Sequence, residues 1–308
     1  MSKKLQSDLM LLLTAFIWGS AFIAQSKGAD LLGPFTFNTF RYGFAVLALL
    51  PVIYVLGKKR SQEETTKELT DTEKKAQRSI LIKGGITTGV ALFVSTSLQQ
   101  YAMAFTTAAK AGFITTLYVI LVPIVGIFLK KKVRPLIWIC ALLGVVGLYL
   151  LSIKPGTFSI SHGDFFVLLC AFGFTVHILV IDHFSPKTDG VKLSCIQFAV
   201  VSIASFIAMS ITETLIIANV FEAIIPLLYA GVLSSAVAYT LQIVAQKDAD
   251  PTVASLILSL ESVFAAICGA IILGEALSAR EITGCVIMFV AIILAQLPSK
   301  EERLPNKN

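Results

Sequence analysis

Charge is scarce in this 308-residue chain: Asp, Glu, Lys and Arg together make up 14%, where soluble domains carry about a quarter. With 56% hydrophobic residues and a mean hydropathy of +0.83, that scarcity excludes an ordinary water-soluble globule. Histidine occurs three times and never in HExxH, so a zinc-protease helix is absent. The five cysteines (Cys140, Cys170, Cys195, Cys268, Cys285) form no CxxC pair and read as small packing residues, not as a disulfide framework or zinc site. No GxxxxGK[ST] motif occurs, which excludes an ATP motor of that kind. The net charge is +6, but the bases are scattered along the chain, so no nucleic-acid footprint is expected. No cofactor and no metal are expected.

What is abundant is apolar sequence in long runs. A helix needs about 20 apolar residues to cross the bilayer. Ten stretches approach that length: Leu9–Gln25, Phe35–Leu56, Ile80–Gln99, Thr106–Leu129, Leu136–Ser152, Asp164–Ile181, Leu193–Ile211, Ile224–Gln246, Thr252–Leu273 and Ile282–Leu297. Segments such as Ile137–Leu151 are apolar all round and lack the period-2 alternation of a membrane barrel. The expected fold is an all-α integral membrane protein of ten transmembrane helices. Lys3 and Lys4 precede the first run, and no small-residue cleavage site followed by a soluble chain appears, so the first helix is expected to stay.

Basic residues orient such a chain. With the N-terminus inside and ten alternating helices, 20 of the 25 Lys and Arg fall on inner segments, eight of them between Lys58 and Lys83. Only Lys27, Lys154 and Arg280 fall outside, while Arg41 and Lys110 lie within helices. The expectation is a multi-pass protein of the plasma membrane with both termini cytoplasmic. The connector 57–79 reads as a solvated cytoplasmic loop or short surface helix.

The chain also repeats itself. An offset of 156 aligns Asp8 with Asp164, Leu12-Leu13 with Leu168-Leu169, and Ala15-Phe16 with Ala171-Phe172. An offset of 143 pairs Gln99 with Gln242, Ala111 with Ala254, Ile114 with Ile257 and Gly126 with Gly269. The domains expected are 1–155 and 156–308, five helices each. Five is odd, so the second half enters from the opposite side. Inverted repeats of this kind build several secondary transporters, with substrate near the midplane.

Ionisable side chains inside a span are expensive and default to functional candidates. Glu261 sits about nine residues into the ninth stretch, roughly mid-bilayer. It reads either as a carboxylate in a water-filled cavity, binding a cationic substrate group or relaying a proton, or as a structural ion pair or a protonated, hydrogen-bonded acid. Arg41 cannot shed its charge and reads as an anion clamp, a gate or a structural pair. Lys110 is a substrate candidate that could also snorkel to the surface. His177 is a candidate or a hydrogen-bonded packing residue. Thr14, Trp18, Ala21 and Gln25 share one face of the first helix by spacing. Ser95 with Gln99, and Ser235, Ala238 and Gln242, mark related faces of the third and eighth. Phe113, Leu117 and Tyr118 make a stripe on the fourth. Gly85-x-x-x-Gly89 and Ala108-x-x-x-Gly112 read as close helix contacts.

These residues resemble tandem EamA domains of the drug/metabolite transporter superfamily. Ala15-Phe16-Ile17-Trp18-Gly19-Ser20-Ala21-Phe22 is similar to that family's opening segment, and Phe40-Arg41-Tyr42 to its second-helix pattern. Leu260-Glu261-Ser262-Val263-Phe264-Ala265, followed by Leu273-Gly274-Glu275, resembles its ninth-helix signature, with Ser262 where the family usually has proline. The resemblance implies a ten-helix transporter with a central cavity that exports or exchanges amino acids or other small metabolites. The substrate residues expected are Trp18, Gln99, Lys110, Tyr118, His177, Gln242 and Glu261, with Arg41 gating or structural. The partners expected are a small-molecule substrate and the lipid bilayer; a monomer suffices, and an oligomer is compatible. An intramembrane enzyme would need paired carboxylates or a nucleophile with a placed base, and no such set appears. A non-transporting structural or sensory protein remains the alternative.

Overall fold

The computed structural model describes residues 3–63, 70–106, 108–131, 133–153, 162–273 and 278–296, which form helices joined by short turns and contain no strand. A backbone without water must close its own hydrogen bonds, and long apolar runs do so as helices. The helices are α1 (Lys3–Leu31), α2 (Pro34–Glu63), α3 (Asp71–Ala102), α4 (Ala108–Thr115), α5 (Tyr118–Phe128), α6 (Pro135–Ser152), α7 (His162–Phe184), α8 (Gly190–Thr212), α9 (Ile217–Glu222) and α10 (Ile224–Leu228). A π-helical stretch, Tyr229–Tyr239, leads into α11 (Thr240–Ala245), and α12 (Pro251–Leu258), α13 (Glu261–Leu273) and α14 (Ala279–Gln296) complete the chain.

Among the described residues, eight helical stretches are long and apolar enough to cross a membrane. Of the ten expected, the fifth corresponds to a shorter apolar helix, Pro135–Leu150, and the tenth to α14. The first runs longer than its apolar stretch, over 29 residues, because polar residues at both ends continue the helix. Helices α2 and α3 likewise extend into the connector expected as loop, with Thr70 and Glu73 forming a capping box at the start of α3. Residues 64–69 of that connector lie outside the described residues.

Polar side chains are buried within the bundle among apolar ones, and many large apolar side chains face outward. Leu47, Tyr54, Phe128, Ile203, Ile225 and Ile271 are exposed, while Thr14, Asn38, Arg41, Gln99, Gln197, Ser235 and Glu261 are buried. Small residues let the helices approach. Gly85 and Gly89 of α3 lie against Ile196 and Val200 of α8, and Gly147 of α6 against Gly284 and Met288 of α14. The main pairings are α6 with α14, α2 with α8, α3 with α7 and α8, α2 and α1 with the π-helical stretch, and α1 with α13.

The fourth and ninth spans differ from the single helices expected: both are broken. In the fourth, Thr116 N donates to Gly112 O, Leu117 N to Ile114 O and Val119 N to Thr116 O. The same bonds recur 143 residues later, Ser259 N to Ser255 O, Leu260 N to Ile257 O and Ser262 N to Ser259 O. Thr116 and Ser259 each turn a hydroxyl back onto a carbonyl of the preceding turn, a habit that bends helices. The breaks are tightened turns that close their own hydrogen bonds.

Candidate functional site

The two breaks point their second halves at each other. Tyr118 opens α5 and Glu261 opens α13, and the Tyr118 hydroxyl donates to Glu261 Oε1 at 3.2 Å. Both are buried, at 3% and 5% exposure. They flank a central cavity of about 30 Å³. Its walls come from α1 (Trp18, Phe22, Gln25), α2 (Arg41), α3 (Gln99), α4 (Thr115), α7 (Phe174) and the π-helical stretch (Ser234, Tyr239). That volume holds a few water molecules and falls far below the several hundred Å³ of a small-molecule site.

Its polar groups are held in place by name. Trp18 Nε1 donates to the Ser234 carbonyl at 3.0 Å, and the Trp18 ring lies 4.5 Å from that of Tyr239. Thr14 bonds the Ala238 carbonyl, and the Ser20 and Tyr229 hydroxyls meet at 2.6 Å, so α1 is fastened along the π-helical stretch. Arg41 donates to Ser235 Oγ at 2.9 Å, Ser234 Oγ at 3.1 Å and Gln25 Oε1 at 3.1 Å. Gln99 Nε2 donates to Thr115 Oγ1 at 3.2 Å. One buried acid, one buried base and five aromatic rings face one small cavity. Such a set can hold a small solute with both polar and flat apolar parts.

The model of the EamA-like transporter family matches the chain twice, over residues 5–153 and 161–297. The chain belongs to the EamA-like transporter family. An uncharacterized transporter of Archaeoglobus fulgidus is 32% identical to this EamA-like chain over 301 residues, covering 96% of the chain and 87% of that relative. An uncharacterized transporter of Clostridium kluyveri is 23% identical, covering 69% of the chain and 71% of the relative. A solved crystal structure superposes with a TM-score of 0.77 at 15% identity, covering 97% of this chain and 99% of the other, which shows the fold alone. With membrane-length apolar helices and two family domains, the EamA-like chain is a multi-pass membrane transporter.

The EamA-like site gathers some of the residues expected from sequence and not others. Trp18, Arg41, Gln99, Tyr118 and Glu261 all line the cavity. His177 is buried behind it, its Nε2 3.1 Å from Gln197 Oε1 and its ring edge-on to Tyr239. Gln242 is buried on α11 and does not line the cavity; among the described residues its Oε1 has no hydrogen-bond partner. Leu258 stands where the offset places the equivalent of Thr115, the partner of Gln99. Lys110 lies on α4, with its side chain outside the described residues, as are Gly274 and Glu275 of the ninth-helix motif.

Five lining residues of the EamA-like cavity escaped the sequence: Phe22, Thr115, Phe174, Ser234 and Tyr239. Phe174 was within reach, since the 156 offset makes it the equivalent of Trp18. Ser234 and Tyr239 were not. Spacing of three and four residues assumes an α-helix, and the π-helical stretch turns different residues inward.

Proposed function

We propose that this protein is a secondary carrier of small metabolites, amino acids or related compounds, working by export or exchange through alternating access. Its ten membrane-crossing helices form two inverted five-helix repeats, 1–155 and 156–308, in the plasma membrane with both termini cytoplasmic. Transport, with no catalytic step, is the activity. Trp18, Gln99, Tyr118 and Glu261 contact the solute, joined by Lys110, His177 and Gln242 as the cavity opens.

The observation that carries this reading is the cavity between two halves whose packing exchanges in pairs. The first helix packs on the eighth, and the third, five earlier than the eighth, packs on the sixth, five later than the first. The second packs on the eighth as the third packs on the seventh, and the first on the ninth as the fourth on the sixth. Such an exchange is what a two-fold axis between halves produces. Two halves of one fold in two conformations can swap them, opening the cavity to one side and then the other. The volume of about 30 Å³ fits a closed intermediate of that cycle.

The test is counterflow in proteoliposomes made from the purified protein, preloaded with each of the common amino acids in turn. Labelled amino acid should accumulate only where its unlabelled form is inside. Flux equal to that of empty vesicles across the whole panel would exclude amino acids as substrates.

A further inference from the structure

Arg41 is 2% exposed, and among the described residues no carboxylate lies within ion-pairing distance of it. A guanidinium keeps its charge, and a buried cation without a counter-ion is costly. Glu261, the acid that shares the cavity, is held by Tyr118. Three neutral oxygens, on Ser235, Ser234 and Gln25, and the face of the Tyr42 ring, 5.0 Å from Arg41 Cζ, hold Arg41 instead. A guanidinium has five N–H donors, so one N–H on each terminal nitrogen remains uncommitted beside the cavity that Arg41 lines.

Two adjacent serines reach one guanidinium because of the backbone they sit on. Successive side chains on an α-helix diverge and do not face a common neighbour. The wider turn of a π-helix reduces that divergence, and Ser234 and Ser235 both lie in the π-helical stretch. Gly231 brings this stretch against α2: a Cβ there would stand 2.7 Å from the Arg41 carbonyl oxygen. The equivalent residues 86–96 in the first half belong to the regular helix α3. The π-helical stretch is thus a feature of one half, and Arg41 is what it serves.

Resting on the carrier reading above, we propose that Ser234 and Ser235 are positioning residues that keep Arg41 aimed at the cavity without neutralising it, and that the missing counter-ion is a carboxylate on the transported solute. Planar guanidinium with parallel free N–H groups matches a carboxylate in geometry as well as charge. The rings of Trp18, Phe174 and Tyr239 suit a flat apolar remainder on the same solute.

Trp18 supplies a direct readout. The chain has two tryptophans, and Trp138→Phe on α6, away from the cavity, leaves Trp18 as the sole indole. The purified full chain is titrated with phenylalanine, with phenylpropionate, which lacks the amine, and with phenethylamine, which lacks the carboxylate. Both carboxylates should shift Trp18 emission, and phenethylamine should bind about a hundredfold more weakly or worse. Ser235→Asp places a carboxylate at the guanidinium. It should weaken phenylalanine binding by a similar factor while the unfolding temperature holds or rises, and Ser235→Asn should keep the preference. Ser234→Asp supplies the same counter-charge if the first variant fails to fold. Phenethylamine binding as tightly as phenylalanine, an undiminished carboxylate preference in the Asp variants, or no binding of either carboxylate each overturns the proposal. Carboxylate binding without counterflow of any amino acid would leave the Arg41 receptor standing and remove only amino acids as the carried solute.

Discussion

Tyr118 and Glu261 stand 143 residues apart, occupy equivalent places in the two halves, and touch: the phenol donates to the carboxylate at 3.2 Å. Each is the first residue after a break in its helix. This buried polar contact is thus made between repeat equivalents that have diverged in chemistry.

Removing that hydroxyl tests its worth. Tyr118→Phe leaves a buried carboxyl oxygen without its donor, which costs roughly 1–3 kcal/mol. The expected result is a lower unfolding temperature in detergent and slower amino-acid counterflow. Unchanged unfolding and counterflow would mean that the contact matters to neither stability nor transport.

Glycines at helix crossings give a graded series. A Cβ at Gly19 would lie 2.5 Å from the Glu261 carbonyl oxygen and 2.7 Å from Ala265 N, both backbone atoms that cannot step aside. Gly19→Ala should push α1 from α13 and destabilise by roughly 1–3 kcal/mol. At Gly144 the nearest neighbour is Leu256 Cδ2 at 3.8 Å, ordinary contact, so Gly144→Ala should be neutral or stabilising. Thermal unfolding of the two variants side by side checks the order; equal losses would contradict the crossing geometry.

Glu213 joins the two halves at one end of the bundle. Its carboxylate accepts from Phe35 N and Thr36 N at 2.8 Å each and from Thr36 Oγ1 at 2.6 Å, capping the start of α2. Glu213→Ala should cost about 1–2 kcal/mol, as a lost helix cap does. Hydrogen exchange at Phe35 and Thr36 should speed up while the middle of α2 is unaffected. Exchange unchanged at those two amides would deny the cap.

Lys131 and Asp182 form an ion pair at the opposite end, between the segment after α5 and the last turn of α7. Under the proposed orientation this end is cytoplasmic and Glu213 is outside. In a cysteine-free background, Glu213→Cys should react with a membrane-impermeant maleimide in intact cells, and Asp182→Cys only after the membrane is opened. The reverse pattern would invert the orientation, and labelling of both in intact cells would break the span count.

Much of the architecture was legible because it depends on properties carried along the chain. Apolar length and the 143-residue echo need no knowledge of which helix touches which. The same holds for Arg41 and Glu261, because a charge inside an apolar run is conspicuous at any tilt. His177 and Gln242 were equally conspicuous, yet both lie behind the cavity wall. Polarity marks a residue that must face inward, and does not say which inward surface it faces.

By itself, then, the sequence determined a helical, duplicated membrane chain with a buried acid and a buried base, since the bilayer penalises exposed polarity wherever the helices lean. Only the tertiary structure decided that Tyr118 meets Glu261, that the fourth and ninth spans are broken, and that Ser234 and Ser235 both reach Arg41. Those relationships depend on crossing distances and on the local turn of the backbone. A Cβ at Gly231 or a regular α-helix over 229–239 would change them without altering the hydropathy of any span.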